Sequence, residues 1–151
     1  MVDTEEFALE LFLPYLLNRA AEESSLAFQR FYQDRYGMLR NEWRVLFHLG
    51  IFGQMTARDI GIRAKIHKTK ISRAVQKLSD KRYLKRRRDN DDRRRESLAL
   101  TSSGRTVYRE LRKTAEQYQR ELSAGFSPEE FALLQDMLRR LTKPCMQPQQ
   151  P

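Results

Sequence analysis

Fourteen of the chain's 29 Lys and Arg residues, but only 4 of its 20 Asp and Glu, lie between Lys65 and Arg95. Crowding like charges does nothing for folding, because they repel. The fold must therefore carry this stretch on its surface and bury only its few apolar residues. Their spacing suits that: Ile71, Ala74, Val75 and Leu78 form one helical stripe. Lys68, Thr69, Lys70, Ser72, Arg73, Gln76 and Lys77 take the opposite face. The stretch carries +10, so the rest of this +9 chain comes to −1. A near-neutral body with one cationic element suits a polyanion partner.

At 151 residues the chain is one domain, or one domain with an appended arm. Hydrophobic content of 40% and charged content of 32% fit a folded, helix-rich protein and exclude a disordered tail. Cys145 is the single cysteine, which rules out an internal disulfide or a cysteine metal site and points to a reducing compartment. The start is acidic, unlike a secretory leader, and no apolar run approaches the roughly 18 residues of a membrane span. The expected location is the cytoplasm, with no membrane partner. His48 and His67 stand alone, with no partner at metal-ligand spacing. The chain lacks a nucleophile–base pair, a phosphate-cradling glycine loop and a paired carboxylate site, so no enzyme, metal or cofactor is expected.

Helical periodicity dominates, and the expected fold class is mainly α with a small β-hairpin. Leu13, Leu16, Leu17, Ala20, Ala21, Ala27, Phe28 and Phe31 mark a helix over 13–35, with Pro14 in its first turn. A second helix carries Trp43, Leu46, Phe47 and Leu49 and ends between Gly50 and Gly53. Thr56 caps a short third helix, and the basic helix follows over 68–81. Two short helices, the second polar and basic outside, make a helix-turn-helix candidate. Tyr83–Arg87 and Glu96–Leu100 are short strands flanking a charged turn, which reads as a hairpin wing. Tyr108, Leu111, Ala115, Tyr118 and Leu122 then repeat at 3 and 4, a seam for another long helix. Ser127, Pro128 and Glu130 open a last helix whose apolar face is Phe131, Leu134, Met137, Leu138 and Leu141.

Several stretches resemble the MarR family of winged helix-turn-helix transcription regulators. Asp92-Arg93-Arg94, followed by Leu100-Thr101, is similar to the family's wing signature. Ser102-Ser103-Gly104 continues in the family's style. Asn41–Leu46 resembles its second-helix motif, and Lys68–Arg73 the start of its recognition helix. The resemblance covers about residues 13–142 and departs at Arg82, where the family usually has glycine. A left-handed cap there costs a side chain roughly 1 kcal/mol, so the helix end is expected to take a different shape. As a MarR-like protomer the chain would divide into a DNA-binding head over 38–101, dimerisation helices over 13–35 and 102–143, and a flexible tail over 144–151.

The resemblance implies a homodimer on a pseudo-palindromic operator in double-stranded DNA. The basic helix would enter the major groove, and a minor groove suits arginines on a wing. The candidate DNA-binding residues are Lys68, Thr69, Lys70, Ser72, Arg73 and Lys77 on the helix, and Arg86, Arg88, Asp92, Arg93 and Arg94 on the wing. Arg73 is the candidate for a bidentate guanine contact. Asp92 is expected to orient the Arg94 guanidinium. An arginine run alone reads more readily as a solvated loop; the adjoining basic helix and the Leu-Thr signature favour DNA. Family effectors are small aromatic or phenolic molecules held between the dimerisation and DNA-binding parts. That makes Tyr15, Arg19, Trp43 and Phe47 candidates for an effector pocket, although Trp43 reads more readily as a core residue than as a ligand platform. The expected function is a sequence-specific repressor released by a small molecule. The alternative is a non-specific architectural nucleic-acid-binding protein.

Overall fold

Six helices and a three-stranded sheet are present among the described residues, 6–92 and 94–143, of the computed structural model. A 3-10 turn at Leu9–Leu11 leads into α1 (Leu13–Tyr36) and α2 (Arg40–Phe52). Then come β1 (Met55–Thr56), α3 (Ala57–Ala64), α4 (Lys68–Asp80), β2 (Leu84–Arg88), β3 (Glu96–Leu100), α5 (Ser102–Ser123) and α6 (Pro128–Leu141). The 144–151 tail with Cys145, the acidic residues 1–5 and Arg93 lie outside the described residues.

Local chemistry sets the boundaries. Gly37, at φ 60°, ends α1, and the Met38 N–H reaches back to the Tyr32 carbonyl at 3.2 Å. The Thr56 hydroxyl accepts from the Asp59 N–H to start α3, and His67 Nδ1 accepts from the Thr69 N–H to start α4. Ser127 and Glu130 exchange reciprocal bonds at the start of α6. The expected bounds hold within a residue or so, but β1 is new. It pairs antiparallel with β3 (Met55 to Leu98, Thr56 to Ser97), giving the order β1-β3-β2. Two residues carry no period, so periodicity alone could not find it.

The chain forms two compact units, one ending at Thr114 and a second beginning at Ala115. The first holds the core: Val45, Leu46 and Leu49 of α2, Ile60 of α3, the α4 stripe, Leu84, Leu98 and Leu100 of the sheet, and Val107 and Leu111 of α5. Gly104 is required at its position, since a Cβ would collide with the Tyr83 carbonyl. In the second unit α6 has no buried residue, and Leu133, Met137, Leu138 and Leu141 are exposed. Leu13 and Leu16, at the start of α1, are exposed too.

The expectation at Arg82 is overturned. Arg82 takes φ 61°, and the left-handed turn forms without glycine. The Tyr83 N–H closes on the Leu78 carbonyl and the Arg82 N–H on that of Ser79, each at 2.9 Å. The Arg82 carbonyl accepts from the Thr101 hydroxyl, and the Tyr83 carbonyl from the Thr101 N–H. These bonds tie the helix end to the start of α5 and hold the costly conformation. Replacing Arg82 by Gly should therefore raise stability by about 1 kcal/mol, a few degrees in Tm, whereas Arg82→Ala should gain little. Thermal and urea unfolding of the two variants separates conformational relief from charge removal.

Candidate nucleic-acid interface

The exposed face of α4 has two flanks. Lys68 and Ser72 border a hollow shared with Arg58, Gly61 and Ile62 of α3. Lys70, Arg73 and Lys77, at helical spacing, border another at the start of α2, beside Leu39, Asn41 and Glu42. Thr69 is exposed between them. The buried stripe thus presents every candidate on this helix outward.

The wing folds by spending its acids on its own backbone. Asp89 Oδ1 accepts from the Asp91 N–H at 3.1 Å, and Asp92 Oδ1 from the Arg94 N–H at 3.0 Å. The Asp89 N–H donates to the Arg95 carbonyl, closing the turn. The expected role of Asp92 is corrected accordingly: its carboxylate holds the main chain of Arg94, because a side chain two residues back reaches the amide first. Arg88, Arg94 and Arg95 are exposed around this turn, and Arg93 lies outside the described residues. Arg86 is occupied: it donates to Gln76 Oε1 at 2.8 Å and pairs with Glu96 at 3.6 Å. It braces β2 against α4.

One cluster holds the C-terminal end of α4 in place. Glu42 is 1% exposed; one carboxylate oxygen accepts from the Leu39 N–H, and the other lies 3.9 Å from Lys81 Nζ. Lys81 Nζ also donates to the Tyr36 and Gly37 carbonyls at 2.9 and 2.8 Å. The Tyr36 hydroxyl donates to Glu110 of α5, which pairs with Arg35. Burial first, then the bond to Glu110, raises the Tyr36 pKa above its ordinary value and keeps the hydroxyl a donor. Sequence reasoning missed this cluster. Its only sequence signal was an acid three residues after Leu39, an N-cap residue with no side-chain acceptor.

The effector candidates fall into two places. The Trp43 ring meets Phe28 and Phe47 edge-on, each at 5.3 Å, and Phe47 meets Tyr108 at 5.3 Å. Both Trp43 and Phe47 are thus engaged in packing α1, α2 and α5. The Arg19 guanidinium lies 5.9 Å from the Tyr15 ring, nine residues or about 13 Å of helix before Phe28. The described residues hold no His/Cys/Asp/Glu cluster fit for a metal and no helix long and apolar enough to cross a membrane.

A sequence profile of the MarR family matches residues 36–95. The uncharacterized HTH-type transcriptional regulators YwoH and YwaE of Bacillus subtilis are each 24% identical to this chain. Those matches cover 69% and 83% of this chain and 75% and 73% of theirs. Among solved structures, BpsR of Bordetella bronchiseptica, whose DNA binding is regulated by 6-hydroxynicotinic acid, aligns with TM-score 0.84 and 23% identity. That alignment covers 93% of this chain and 99% of BpsR. A mutant of MarR from E. coli, complexed with operator DNA, aligns with TM-score 0.80 and 15% identity over 91% of this chain and 100% of that one. A MarR-family regulator of Silicibacter pomeroyi aligns with TM-score 0.74 and 26% identity over 91% and 94%.

Two outcomes are expected of this geometry. Lys81→Met should destabilise the fold by about 3 kcal/mol, because it strands the buried Glu42 carboxylate. Adding Glu42→Leu should recover part of that loss, read as a non-additive double-mutant cycle in urea. At the wing, Asp92→Asn keeps an acceptor for the Arg94 amide and should bind DNA nearly as the unaltered protein does. Asp92→Ala should bind more weakly. Equal loss in both variants would show that the charge of Asp92, not its hydrogen bond, is what matters.

Proposed function

We propose that this chain is a winged-helix transcription regulator of the MarR type rather than an enzyme, a homodimeric, operator-specific repressor released by a small molecule. The observation that carries the DNA reading is the exposed face of α4, polar and basic, beside a hairpin turn in which Asp89 and Asp92 bond backbone amides. A helix of that width fits the major groove, where base edges can be distinguished. Arginines on a hairpin suit the narrow minor groove. Arg73 reads a guanine, Lys70 and Lys77 meet phosphates, and Arg88 and Arg94 enter the flanking groove. The operator-bound MarR and the ligand-regulated BpsR, both similar in fold, support DNA and a small molecule as partners.

Dimerisation rests on uncovered apolar surface. Leu9, Leu11, Phe12, Leu13 and Leu16 are exposed at the start of α1, as is much of the apolar face of α6. Large exposed apolar patches mark association surfaces, and a second copy gives the two-fold arrangement that a palindrome requires. A cytoplasmic location follows from this role.

Light scattering at micromolar concentration should give twice the chain mass of 18.0 kDa. The footprint should cover two half-sites about 10 bp apart. With three or four phosphate contacts per protomer, log K should fall against log salt with a slope of about −5 to −7. Arg73→Ala should cost about 1–3 kcal/mol on the operator and relax preference at one base pair per half-site, while replacing Arg139 and Arg140 should leave the slope unchanged. Equal affinity for random duplex would instead favour an architectural role.

A further inference from the structure

Leu84, Leu98 and Leu100 root the hairpin in the core, but from Lys85 to Glu96 no described residue is buried. A bridge of side chains ties this outer part to α4. Gln76 uses both ends of its carboxamide: Nε2 donates to Asp80 Oδ1, and Oε1 accepts from Arg86 Nη2, each at 2.8 Å. Arg86 uses its fork on two sides, since its Nε also faces Glu96 Oε1 at 3.6 Å. The run thus crosses from α4 through β2 to the first residue of β3. Gln76 lies on the outward face of α4 beside Lys77, where a free carboxamide would suit an adenine edge. Here both of its ends are taken. The side chains of Arg86 and Glu96 are 37% and 38% exposed, and ion pairs that open to water add little stability. The bridge therefore bears on where the hairpin points more than on whether the head folds.

From Leu84 to Asp89 the strand rises about 17 Å. A hairpin pivoting by about 12° on its buried base would carry its turn about 3.5 Å, one base-pair step of duplex DNA. A two-stranded ribbon with no buried side chain resists such a tilt weakly. We propose that Gln76 and Arg86 are positioning residues, whose bridge fixes which base-pair step the wing arginines meet when α4 lies in the major groove. The interval between the two groove contacts is then a specificity determinant, read without either residue touching a base. This rests on the DNA reading given above, and it assigns Arg86 to the protein rather than to a phosphate.

Linked contacts reinforce one another only when their spacing matches the target. With the bridge intact, α4 and the hairpin turn engage the duplex as one body. Without it the hairpin samples neighbouring steps, so the wing adds less to binding and tolerates more spacings. Asp80 has a part in this: by holding Nε2 it turns the amide so that oxygen, not nitrogen, faces Arg86.

The test uses the full chain and its footprinted operator, with the flanking segment displaced by one base pair either way from the half-site core. In fluorescence anisotropy the unaltered protein should bind either displaced duplex about tenfold more weakly. Gln76→Leu should weaken binding to the native operator and hold all three duplexes within about threefold of one another. Gln76→Glu keeps an acceptor for Arg86 and should keep the tenfold preference. Arg94→Ala should cost about tenfold alone and under about threefold in the Gln76→Leu background. Arg86→Met should match Gln76→Leu and leave the salt slope unchanged. In the DNA-free protein, backbone order parameters over residues 88–92 should fall from about 0.85 to below about 0.6 in Gln76→Leu and recover in Gln76→Glu. A spacing preference that survives Gln76→Leu overturns the proposal, as do fully additive costs of Gln76→Leu and Arg94→Ala. A changed base preference with the spacing preference kept makes Gln76 a base reader and overturns it. So does a salt slope lower by about one per protomer in Arg86→Met, which makes Arg86 a phosphate contact. If the unaltered protein prefers no palindrome, the operator reading falls, and the order parameters still decide the bridge: values unchanged by Gln76→Leu overturn it.

Discussion

A carboxylate withdrawn from water sets how the helices of the head meet. Glu42 cannot stay charged in its buried position unless opposite charge and donors reach it. Lys81, just past the end of α4, comes within 3.9 Å, and the Leu39 amide binds the other oxygen. The same ammonium bonds the last carbonyls of α1, where a cation also complements the helix dipole. Through Tyr36 and Glu110 the contact extends to α5. α4 is thus held at its C-terminal end by polar, directional bonds, while Ile71, Ala74, Val75 and Leu78 hold its length by burial. Apolar packing alone tolerates sliding; the directional bonds from Lys81 Nζ to the Tyr36 and Gly37 carbonyls fix the position of the helix end.

Elsewhere in the head, pairing decides which cations face solvent. Acids in the wing turn bond backbone amides, and Arg86 is occupied by Gln76 and Glu96. What remains outward is a row on α4 and a group at the hairpin turn.

How much of this was legible in the sequence depended on whether the cause was local. The α4 stripe, the caps at Thr56 and Ser127, the hairpin strands and the outward basic face all follow from spacing within a few residues. These are one-dimensional signals, and the structure places each element within a residue or so of where they put it. Asp92 and Arg82 show the limit even at short range. The side chain of Asp92 had two reachable partners, and the turn geometry chose the amide. The left-handed conformation of Arg82 looked too costly by itself, and bonds from Thr101, nineteen residues away, hold it.

The sequence by itself determined the fold class, the family resemblance and the outward basic face of α4, because helical period, charge segregation and the wing signature are properties of neighbours along the chain. Only the tertiary structure decided that Arg86 is a brace, that Trp43 and Phe47 are engaged in packing, that β1 exists, and that Lys81 and Glu42 meet across 39 positions of sequence. Each of these depends on which groups are brought together after collapse. The energy of a buried charge or a ring contact is set by its neighbours in space, which the order of residues does not reveal.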